Sequence, residues 1–420
     1  MSNASKLQSR ATASPVPPRL TAVAAEYDVC VVGLGATGAR IAAMASVRGL
    51  DVAGFDQRAD AVARFNCADV GADADLMDRI EDGLADGHLR AFDGAARAKQ
   101  YIICAGPQLR FDGSIDTADL DRAIEATLDA VEPGNLIVLE ASAAPGTLRS
   151  KVAERLEEIG LEPGVDVFVA VASSGNGGPV LVGGITPACT ERAADFYRGL
   201  FDEAVLVTSA ESCELVRLAE TAYREVNAAF ANEVSNVCRH LDLDVWDVLS
   251  LARVVTGAAI ARPGPGPTDT RARIDPKLFA SACAHDTPLT RSALELNAMQ
   301  PARVVTEVRS VAQRFVKPTI ACLGLSYGAE GRLSQSPAVR VAEMIARERL
   351  GDLLVVDEAI ETCPVDGARL VSLDRALRSA DIVVLLTPDP AFERAPRELY
   401  VRPCVIDTLG LLSRDTPRLT

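Results

Sequence analysis

The chain has 420 residues, of which 48% are hydrophobic and 24% are charged. A chain of this length is longer than one hydrophobic core normally accommodates, so we predict two or three domains. Its 58 acidic residues outnumber its 43 basic ones, so the formal net charge is -15. A net negative field repels nucleic acids and anionic lipid surfaces, and we therefore expect neither nucleic acid nor a membrane as a partner. An anionic small molecule remains compatible with this charge wherever basic residues cluster locally.

Residues 1–26 are rich in Ser, Ala and Pro and contain no apolar segment of the kind found in signal peptides, so we interpret them as a disordered arm. No later stretch reaches the ~18 apolar residues that span a bilayer. The ten cysteines are scattered singly, several of them in apolar runs. This usage indicates buried free thiols in a reducing compartment and predicts a cytoplasmic protein. The three histidines lie far apart, and we expect no metal site.

The first ordered part of the chain alternates short apolar runs with helical stretches. Strands are predicted at 28–32, 50–56, 101–104, 136–139 and 167–172. A helix over 36–49 separates the first two strands. This alternation is typical of a doubly wound parallel sheet, and we place the first domain at residues 27–209.

A long helical stretch with few breakers follows from residue 210 to about residue 251, interrupted at 242–244. Its apolar residues recur at helical spacing and are Leu215, Leu218, Ala222, Val226, Phe230, Val234 and Cys238. Such a stripe is typical of a domain connector and dimer surface, although a buried core gives the same pattern. A loop dense in Pro and Gly at 262–267 and a helical stretch over 290–315 complete a central domain at residues 210–315.

A second α/β pattern occupies the remainder of the chain. Strands are predicted at 319–324, 353–357, 381–386 and 404–407, with a helix over 336–350. We therefore predict an α/β protein with two Rossmann-like doubly wound lobes joined by a helical central domain, the second lobe being residues 316–420.

The turn after the first predicted strand carries a Gly-x-Gly-x-x-Gly pattern that opens a helix. Its residues, all predicted to bind a cofactor, are Gly33, Leu34, Gly35, Ala36, Thr37 and Gly38. The first glycine allows a tight turn, the second lets the backbone approach a pyrophosphate, and the third lets helix and strand pack closely. The N-terminus of the helix then binds the phosphates. A glycine-rich turn without a ligand would show the same pattern.

Asp56 ends the next predicted strand, where a carboxylate can accept hydrogen bonds from the hydroxyls of an adenosine ribose. The same carboxylate repels a 2′-phosphate, so the predicted cofactor is NAD rather than NADP. Arg58 nearby weakens this preference slightly. Gln57 and Arg58 complete the predicted ribose site.

These residues, with four further motifs, resemble the nucleotide-sugar 6-dehydrogenases, namely the UDP-glucose, GDP-mannose and UDP-N-acetylmannosamine dehydrogenases, over roughly residues 28–412. The sequence Glu-Ala-Ser-Ala-Ala-Pro-Gly-Thr at 140–147 is similar to the family's Glu-Ser-Thr-x-x-Pro-Gly-Thr turn. The other motifs are the central helix at 219–233, the loop at 263–266 with Asp275-Pro276, and 323–325 with Ser336-Pro337. Among the branches of the family, the N-acetylhexosamine branch is the one most similar to this chain at residues 227, 232–233 and 245–246.

The resemblance implies NAD as cofactor, a nucleotide-sugar or other anionic small-molecule substrate, and a homodimer formed through the central helix. It implies a cofactor contact from Glu140. The residues expected to bind substrate are Asn227, Arg262, Gly264, Gly266 and Arg273.

This chain differs from the family at the positions that carry the catalytic residues. Members of the family oxidise a sugar CH2OH to a carboxylate in two hydride transfers, through a thiohemiacetal and a thioester on a cysteine. The spacing within the loop places Arg271 at the cysteine's position, and a guanidinium stays protonated and is no nucleophile. The family's central-helix lysine and asparagine align with Arg217 and Thr221, while Asp275 is retained.

Two further positions differ as well. The family's Pro-Glu segment aligns with 172–178, and a lysine of the C-terminal lobe aligns with Gly328. Together these substitutions predict that the four-electron oxidation is lost. Cys283 either replaces the missing thiol or is unrelated to the site.

Four arginines are expected near one cleft of this acidic chain: Arg217, Arg262, Arg271 and Arg273. They form either a pocket for an anionic substrate or a set of solvated loop residues.

Three functions remain open. The favoured one is an NAD-dependent oxidoreductase that makes a single hydride transfer on a nucleotide sugar or related anionic alcohol. Its predicted catalytic residues are Arg217, Thr221, Asp275 and Arg271, with Asp275 or Glu140 as the base. The others are a complete 6-dehydrogenase that uses unrecognised residues, and an inactive NAD- or nucleotide-sugar-binding homologue acting as a scaffold or regulator.

Overall fold

The structure, a computed structural model, describes residues 26–70, 74–110, 112–175, 178–266, 270–283, 285–326, 333 and 336–412. The predicted arm, apart from Glu26, lies outside these residues. Gly328 and the last residue of the loop predicted at 262–267 also lie outside them. Among the described residues, no helix has both the length and the apolar character needed to cross a bilayer.

An eight-stranded sheet forms the first lobe, with a small antiparallel hairpin (β5 and β6) beside it. In chain order the strands are β1 Tyr27–Val32, β2 Val52–Phe55, β3 Leu89–Phe92, β4 Ala98–Ile103, β5 Gln108–Leu109, β6 Ile115–Asp116, β7 Leu136–Leu139, β8 Phe168–Ser173, β9 Val180–Gly184 and β10 Val205–Ser209. The order across the sheet is β10-β9-β8-β7-β4-β1-β2-β3, and β8 and β9 form its antiparallel pair. The order reverses between β4 and β1, and α/β proteins bind ligands at the carboxyl ends of strands beside such a reversal.

Helices cover both faces of this sheet. They are α1 Ala36–Val47, α2 Ala59–Phe65, α3 Ala74–Asp86, α4 Ala118–Leu128, α5 Glu154–Glu158, which follows a π-helical turn at Leu148–Ala153, and α6 Pro187–Leu200. In β1, Val29 and Val31 face one hydrophobic core while Cys30 and Val32 face the other. Because both faces of this strand are buried, neither face carries polar residues, and its sequence is a continuous run of apolar residues.

The central part of the chain is helical. Its elements are α7 Ala210–His240, α8 Val245–Thr256, α9 Thr270–Ala282, α10 Pro288–Ala298 and α11 Gln300–Ala312. The stretch predicted as helical over 290–315 is two helices, because Pro301 suits the first turn of a new helix and not the interior of a continuous one. Leu218 of α7 packs against Ile274 and Leu278 of α9, which holds these two helices together.

The C-terminal lobe is a five-stranded parallel sheet between two cores. Its strands are β11 Thr319–Leu323, β12 Asp352–Val356, β13 Ala368–Leu370, β14 Ile382–Leu385 and β15 Cys404–Asp407, in the order β13-β12-β11-β14-β15. Its helices are α12 Pro337–Glu348, α13 Leu373–Ser379 and α14 Pro390–Arg394, the last followed by a 3-10 turn at Arg397–Tyr400. The predicted α/β class, with two doubly wound lobes and a helical middle, is confirmed.

Candidate functional site

The glycine turn lies at the carboxyl end of β1, beside the reversal in strand order. Gly33 has φ of +102°, and a Cβ there would lie 2.4 Å from the backbone nitrogen of Ala105. A Cβ on Gly38 would lie 1.9 Å from the carbonyl oxygen of Gly33. Gly35, by contrast, has open space around its Cβ position and begins α1 without a side-chain cap. The turn is therefore tight where helix meets strand and open where the helix N-terminus can receive an anion.

Asp56 lies directly beneath this turn. Its Oδ2 accepts a hydrogen bond from the backbone N–H of Leu34 at 3.0 Å, and its Oδ1 accepts one from the N–H of Arg58 at 3.0 Å. Gln57 is exposed beside it, and its Oε1 accepts a hydrogen bond from Arg122. The structure thus brings the predicted ribose residues to the glycine turn, where Asp56 also fixes the turn itself.

Glu140 follows β7 and turns inward. Its side chain is fully buried, with Oε1 accepting hydrogen bonds from the N–H and the hydroxyl of Ser174, and Oε2 accepting one from the hydroxyl of Tyr197. Burial and the Glu140 carboxylate raise the pKa of Tyr197 well above its ordinary value. With both oxygens committed to protein donors, this carboxylate is not placed to act as the base that the sequence offered as an alternative to Asp275.

Arg217 and Thr221 of α7 face Asp275 of α9. The Arg217 Nη1 donates to the carbonyl oxygen of Glu140 at 2.6 Å. The single proton of the Thr221 hydroxyl has the carbonyl oxygen of Arg217 at 3.2 Å and Asp275 Oδ2 at 3.4 Å as alternative acceptors. The apolar contact between Leu218 and Ile274, each next in sequence to one of these residues, brings the two helix faces together.

Among the described residues, three buried polar atoms at this centre make no hydrogen bond of good geometry: Arg217 Nε, Asp275 Oδ1 and Ser142 Oγ, although the Ser142 hydroxyl is close enough to the Asp275 carboxyl to lower its pKa. A buried polar atom that lacks a partner costs roughly 1–3 kcal/mol, so proteins rarely leave several together. One donor, one acceptor and one hydroxyl are the complement of a ligand hydroxyl group, which both donates and accepts. We call Arg217, Thr221, Asp275 and Ser142 the polar centre.

Asp275 is fully buried, and this burial raises the pKa of its carboxyl above the ordinary value. The Ser142 and Thr221 hydroxyls and the charges of Arg217 and Arg271 act in the opposite direction. A carboxyl with a raised pKa is a stronger base once it is ionised, which suits proton abstraction near neutral pH.

The loop arginines are separated by the structure. Arg271 is one helical turn before Asp275 and close enough to lower its pKa, whereas Arg273 acts on Lys277 on another face of α9. Arg262, Gly264 and Gly266 line a cavity of about 260 Å³ with residues of the C-terminal lobe.

Asn227 holds the same loop in place. Its Nδ2 donates to the carbonyl of Ala259 at 2.9 Å, and its Oδ1 accepts from the N–H of Ala261 at 3.0 Å. Its amide is therefore used by the backbone on both sides. Cys283 is exposed just after the end of α9, about 18 Å along the helix axis from Arg271, and cannot take the place of a thiol at that position.

Four residues of the site were not predicted from the sequence. Ser142 lies within the 140–147 motif, which could have suggested it. Arg40 lies on α1, Ser174 directly after β8 and Tyr197 on α6, and no local pattern marks them as neighbours of Glu140.

Comparison with known proteins gives a consistent result. Residues 27–175 match the NAD binding domain of the UDP-glucose/GDP-mannose dehydrogenase family, and residues 211–299 match its central domain. The chain is 30% identical over 406 residues to the NDP-N-acetyl-D-galactosaminuronic acid dehydrogenase of Ralstonia solanacearum, covering 92% of this chain and 96% of the relative. It is 28% identical over 414 residues to the UDP-N-acetyl-D-mannosamine dehydrogenase of Escherichia coli, with 91% and 98% covered.

Solved structures are similar over the same length. The UDP-D-ManNAc dehydrogenase of Pyrococcus horikoshii superposes with a TM-score of 0.80 at 26% identity, covering 93% of this chain and 97% of that one. The UDP-N-acetyl-mannosamine dehydrogenase of Staphylococcus aureus, at 24% identity and a TM-score of 0.83 over 93% and 96% of the two chains, shares the fold.

Proposed function

Because this chain belongs to the UDP-glucose/GDP-mannose dehydrogenase family, whose cofactor is NAD, we propose that it oxidises a hydroxyl of a nucleotide sugar or related anionic alcohol by a single hydride transfer. The observation that carries the proposal is the polar centre, in which an unpartnered donor and an unpartnered carboxylate oxygen are buried together. Arg271 supports the limit to one transfer, since a guanidinium cannot form the thioester of a second oxidation.

The glycine turn is the part of the chain that fits NAD. The open space at Gly35 and the uncapped N–H groups at the start of α1 support a pyrophosphate site there, and Asp56, which accepts a hydrogen bond from Leu34 of the same turn, supports a ribose site beside it. NAD, when bound, supplies the hydride acceptor.

The polar centre supplies the proton chemistry. Asp275 Oδ1 takes the proton of the substrate hydroxyl, while the Thr221 hydroxyl lies 3.4 Å from the other carboxylate oxygen. Arg217 Nε donates a hydrogen bond to the substrate oxygen as the carbon–oxygen double bond forms, because Nη1 is already held by Glu140. The hydroxyl loses one proton to Asp275 and its carbon loses one hydride, so the product is a ketone or an aldehyde.

Incubation of the protein with NAD and a panel of UDP- and GDP-sugars tests this function. We expect the absorbance of the reduced cofactor to rise together with a product that is lighter by two hydrogen atoms. A product that has also gained an oxygen atom would identify a complete 6-dehydrogenase. NAD binding without turnover of any panel member would instead favour a scaffold or regulator.

Asp56→Ala is expected to weaken NAD binding by about tenfold or more, because the ribose loses an acceptor and Leu34 N–H loses the bond that shapes the turn. Calorimetry with NAD measures the change. Asp60→Ala, an exposed carboxylate in the first turn of α2, is the matched control and should bind as the parent does. Equal affinity for the Asp56 variant would contradict this placement of the cofactor.

The homodimer is part of the same proposal, and exposed apolar residues on α7 and α8 support it. No residue of α8 is buried, and Val254 and Val255 are 70% and 78% exposed. A cavity of about 590 Å³ is lined by Phe230 and Val237 of α7 and Val248 of α8, among others. We assign the domains as residues 27–209, 210–315 and 316–420, with the dimer surface on the second.

Phe230→Asp combined with Val237→Asp is expected to yield a monomer, because two charges would be buried at the interface. Sedimentation velocity measures the species present. Val316→Asp, a fully exposed apolar residue away from α7 and α8, should leave the dimer intact. A parent protein that sediments as a monomer would remove the dimer from the proposal.

A further inference from the structure

A hydrogen-bonded chain joins the helix of the glycine turn to the arginine of the polar centre. It begins at Arg40 of α1, whose Nη2 donates to the carbonyl oxygen of Ser174 at 2.8 Å and to its hydroxyl at 2.5 Å. The N–H and the hydroxyl of Ser174 donate to Glu140 Oε1, the first at 2.8 Å. From the carboxylate the connection passes through the covalent bonds of Glu140 to its backbone carbonyl, which accepts the hydrogen bond of Arg217.

This chain has little freedom to move. Glu140 and Tyr197 are fully buried, Ser174 is 4% exposed, and the Tyr197 hydroxyl occupies the second carboxylate oxygen. The Arg40 guanidinium also lies over the ring of Phe201, 5.3 Å from its centre. Satisfied buried networks of this kind are rigid, since any displacement leaves a polar group unpaired. The Glu140 side chain thus holds its residue in place together with the backbone N–H groups of Glu140 and Ala141, which both donate to the carbonyl oxygen of Ile103, at 2.9 and 3.1 Å.

We propose that Arg40 and Ser174 are positioning residues, which hold Arg217 through Glu140 so that its Nε points at the reacting hydroxyl. The inference rests on the proposed function, because it concerns the placement of a residue of the same centre. Its physical basis is that, within the part of the chain that the structure describes, the Arg217 side chain makes one hydrogen bond, at Nη1, whereas its Nε has no partner. The direction of Nε therefore follows the position of the Glu140 carbonyl.

Two variants weaken the chain in different ways. Ser174→Ala removes its middle hydroxyl without changing any charge and leaves the backbone N–H and carbonyl of residue 174 bonded to Glu140 and Arg40, whereas Arg40→Met removes the first donor. We expect both to lower kcat about 10- to 100-fold, with the KM for substrate and the Kd for NAD within about twofold of the parent. Arg40→Lys keeps a cationic donor and should recover part of the loss.

Arg48→Met, at the residue that caps the C-terminus of the same helix, is the matched control. Arg48 contacts the carbonyl of Leu200 and the carboxylate of Asp202, away from Glu140, and its loss should leave kcat unchanged. Retention of NAD affinity in each variant shows that the first lobe is folded. If Ser174→Ala does not retain the NAD affinity of the parent, the kcat values of Arg40→Met and Arg40→Lys test the inference instead.

Cys104 provides a measurement that does not depend on turnover. Burial and Glu140 raise the pKa of its thiol, while the charges of Arg217 and Arg40 lower it. In Ser174→Ala the displacement of Arg217 should raise that pKa and slow alkylation of Cys104 by at least about twofold at fixed pH, measured by mass spectrometry of its peptide.

Alkylation at the parent rate in Ser174→Ala overturns the inference, and so does slowed alkylation with an unchanged kcat. A parent protein that reduces no NAD with any substrate defeats the proposed function instead. In that case the alkylation rate alone decides whether the chain positions Arg217.

Discussion

Asp275→Asn is expected to lower kcat by about 100- to 10,000-fold, the usual contribution of a general base, while NAD binding stays unchanged. The amide keeps the shape of the side chain and can still accept the Thr221 hydrogen bond, but it cannot take a proton. Stopped-flow or steady-state formation of NADH measures the loss. Asp286→Asn, in the exposed turn after α9, is the matched control and should retain full activity. Activity close to the parent's would show that another group removes the proton.

The pH dependence of the parent protein should report the same carboxyl. Burial raises the pKa of Asp275, so kcat/KM should fall as the pH drops through a value above the ordinary ~3.9 of an aspartate. Asp275→Asn should abolish this acid limb in any residual activity.

The effect on stability has a defined sign. Because the folded-state pKa is raised, the favourable contribution of Asp275 is present below its unfolded pKa and is lost as the pH rises through the folded pKa. Asp275→Asn removes the cost of a buried charge, so its stability relative to the parent should increase as the pH rises from the unfolded pKa of ~3.9 through the raised folded-state pKa. Denaturant unfolding at several pH values measures this difference, and the opposite slope would contradict the raised pKa.

Gly35→Ala and Gly38→Ala are expected to separate cofactor binding from folding. The Cβ of Gly35→Ala meets no protein atom within 4 Å, and φ of -71° suits alanine, so the melting temperature should stay near that of the parent. The methyl group would nevertheless occupy the surface that a pyrophosphate approaches, and we expect NAD affinity to fall by about tenfold or more.

Gly38→Ala places its Cβ 1.9 Å from the carbonyl oxygen of Gly33 and forces α1 away from β1. Overpacking of this kind costs roughly 1–3 kcal/mol, so both the melting temperature and NAD affinity should fall. Gly199→Ala, inside α6 with open space at its Cβ, controls for the substitution itself. If Gly35→Ala binds NAD as the parent does, the diphosphate does not lie on this turn.

Local sequence determined the strands β1, β2, β4, β7 and β8 of the first lobe and β11, β12, β14 and β15 of the second, but not β3, β9 or β13. The strands predicted at 136–139 and 404–407 have the observed bounds, because buried parallel strands are short apolar runs that end at polar residues or glycine. β10 was not predicted, since it is a partly exposed edge strand with Leu206 and Val207 about half exposed and no continuous apolar pattern in the interior. The glycine turn and Asp56 were predicted from the sequence, because their chemistry depends on residues that lie close together in one local structural unit.

The candidate centre depended on tertiary structure. Arg217 and Asp275 are far apart in the chain, and they meet because Leu218 packs on Ile274 where α7 crosses α9. The sequence placed Glu140 beside the cofactor, but only the fold turns its carboxylate inward to Ser174 and Tyr197. Residue spacing reports contacts within one helix or strand, whereas the direction of a side chain between elements is set by packing across the chain. The sequence therefore determined the fold class and the cofactor, and packing decided which residues surround the reacting group.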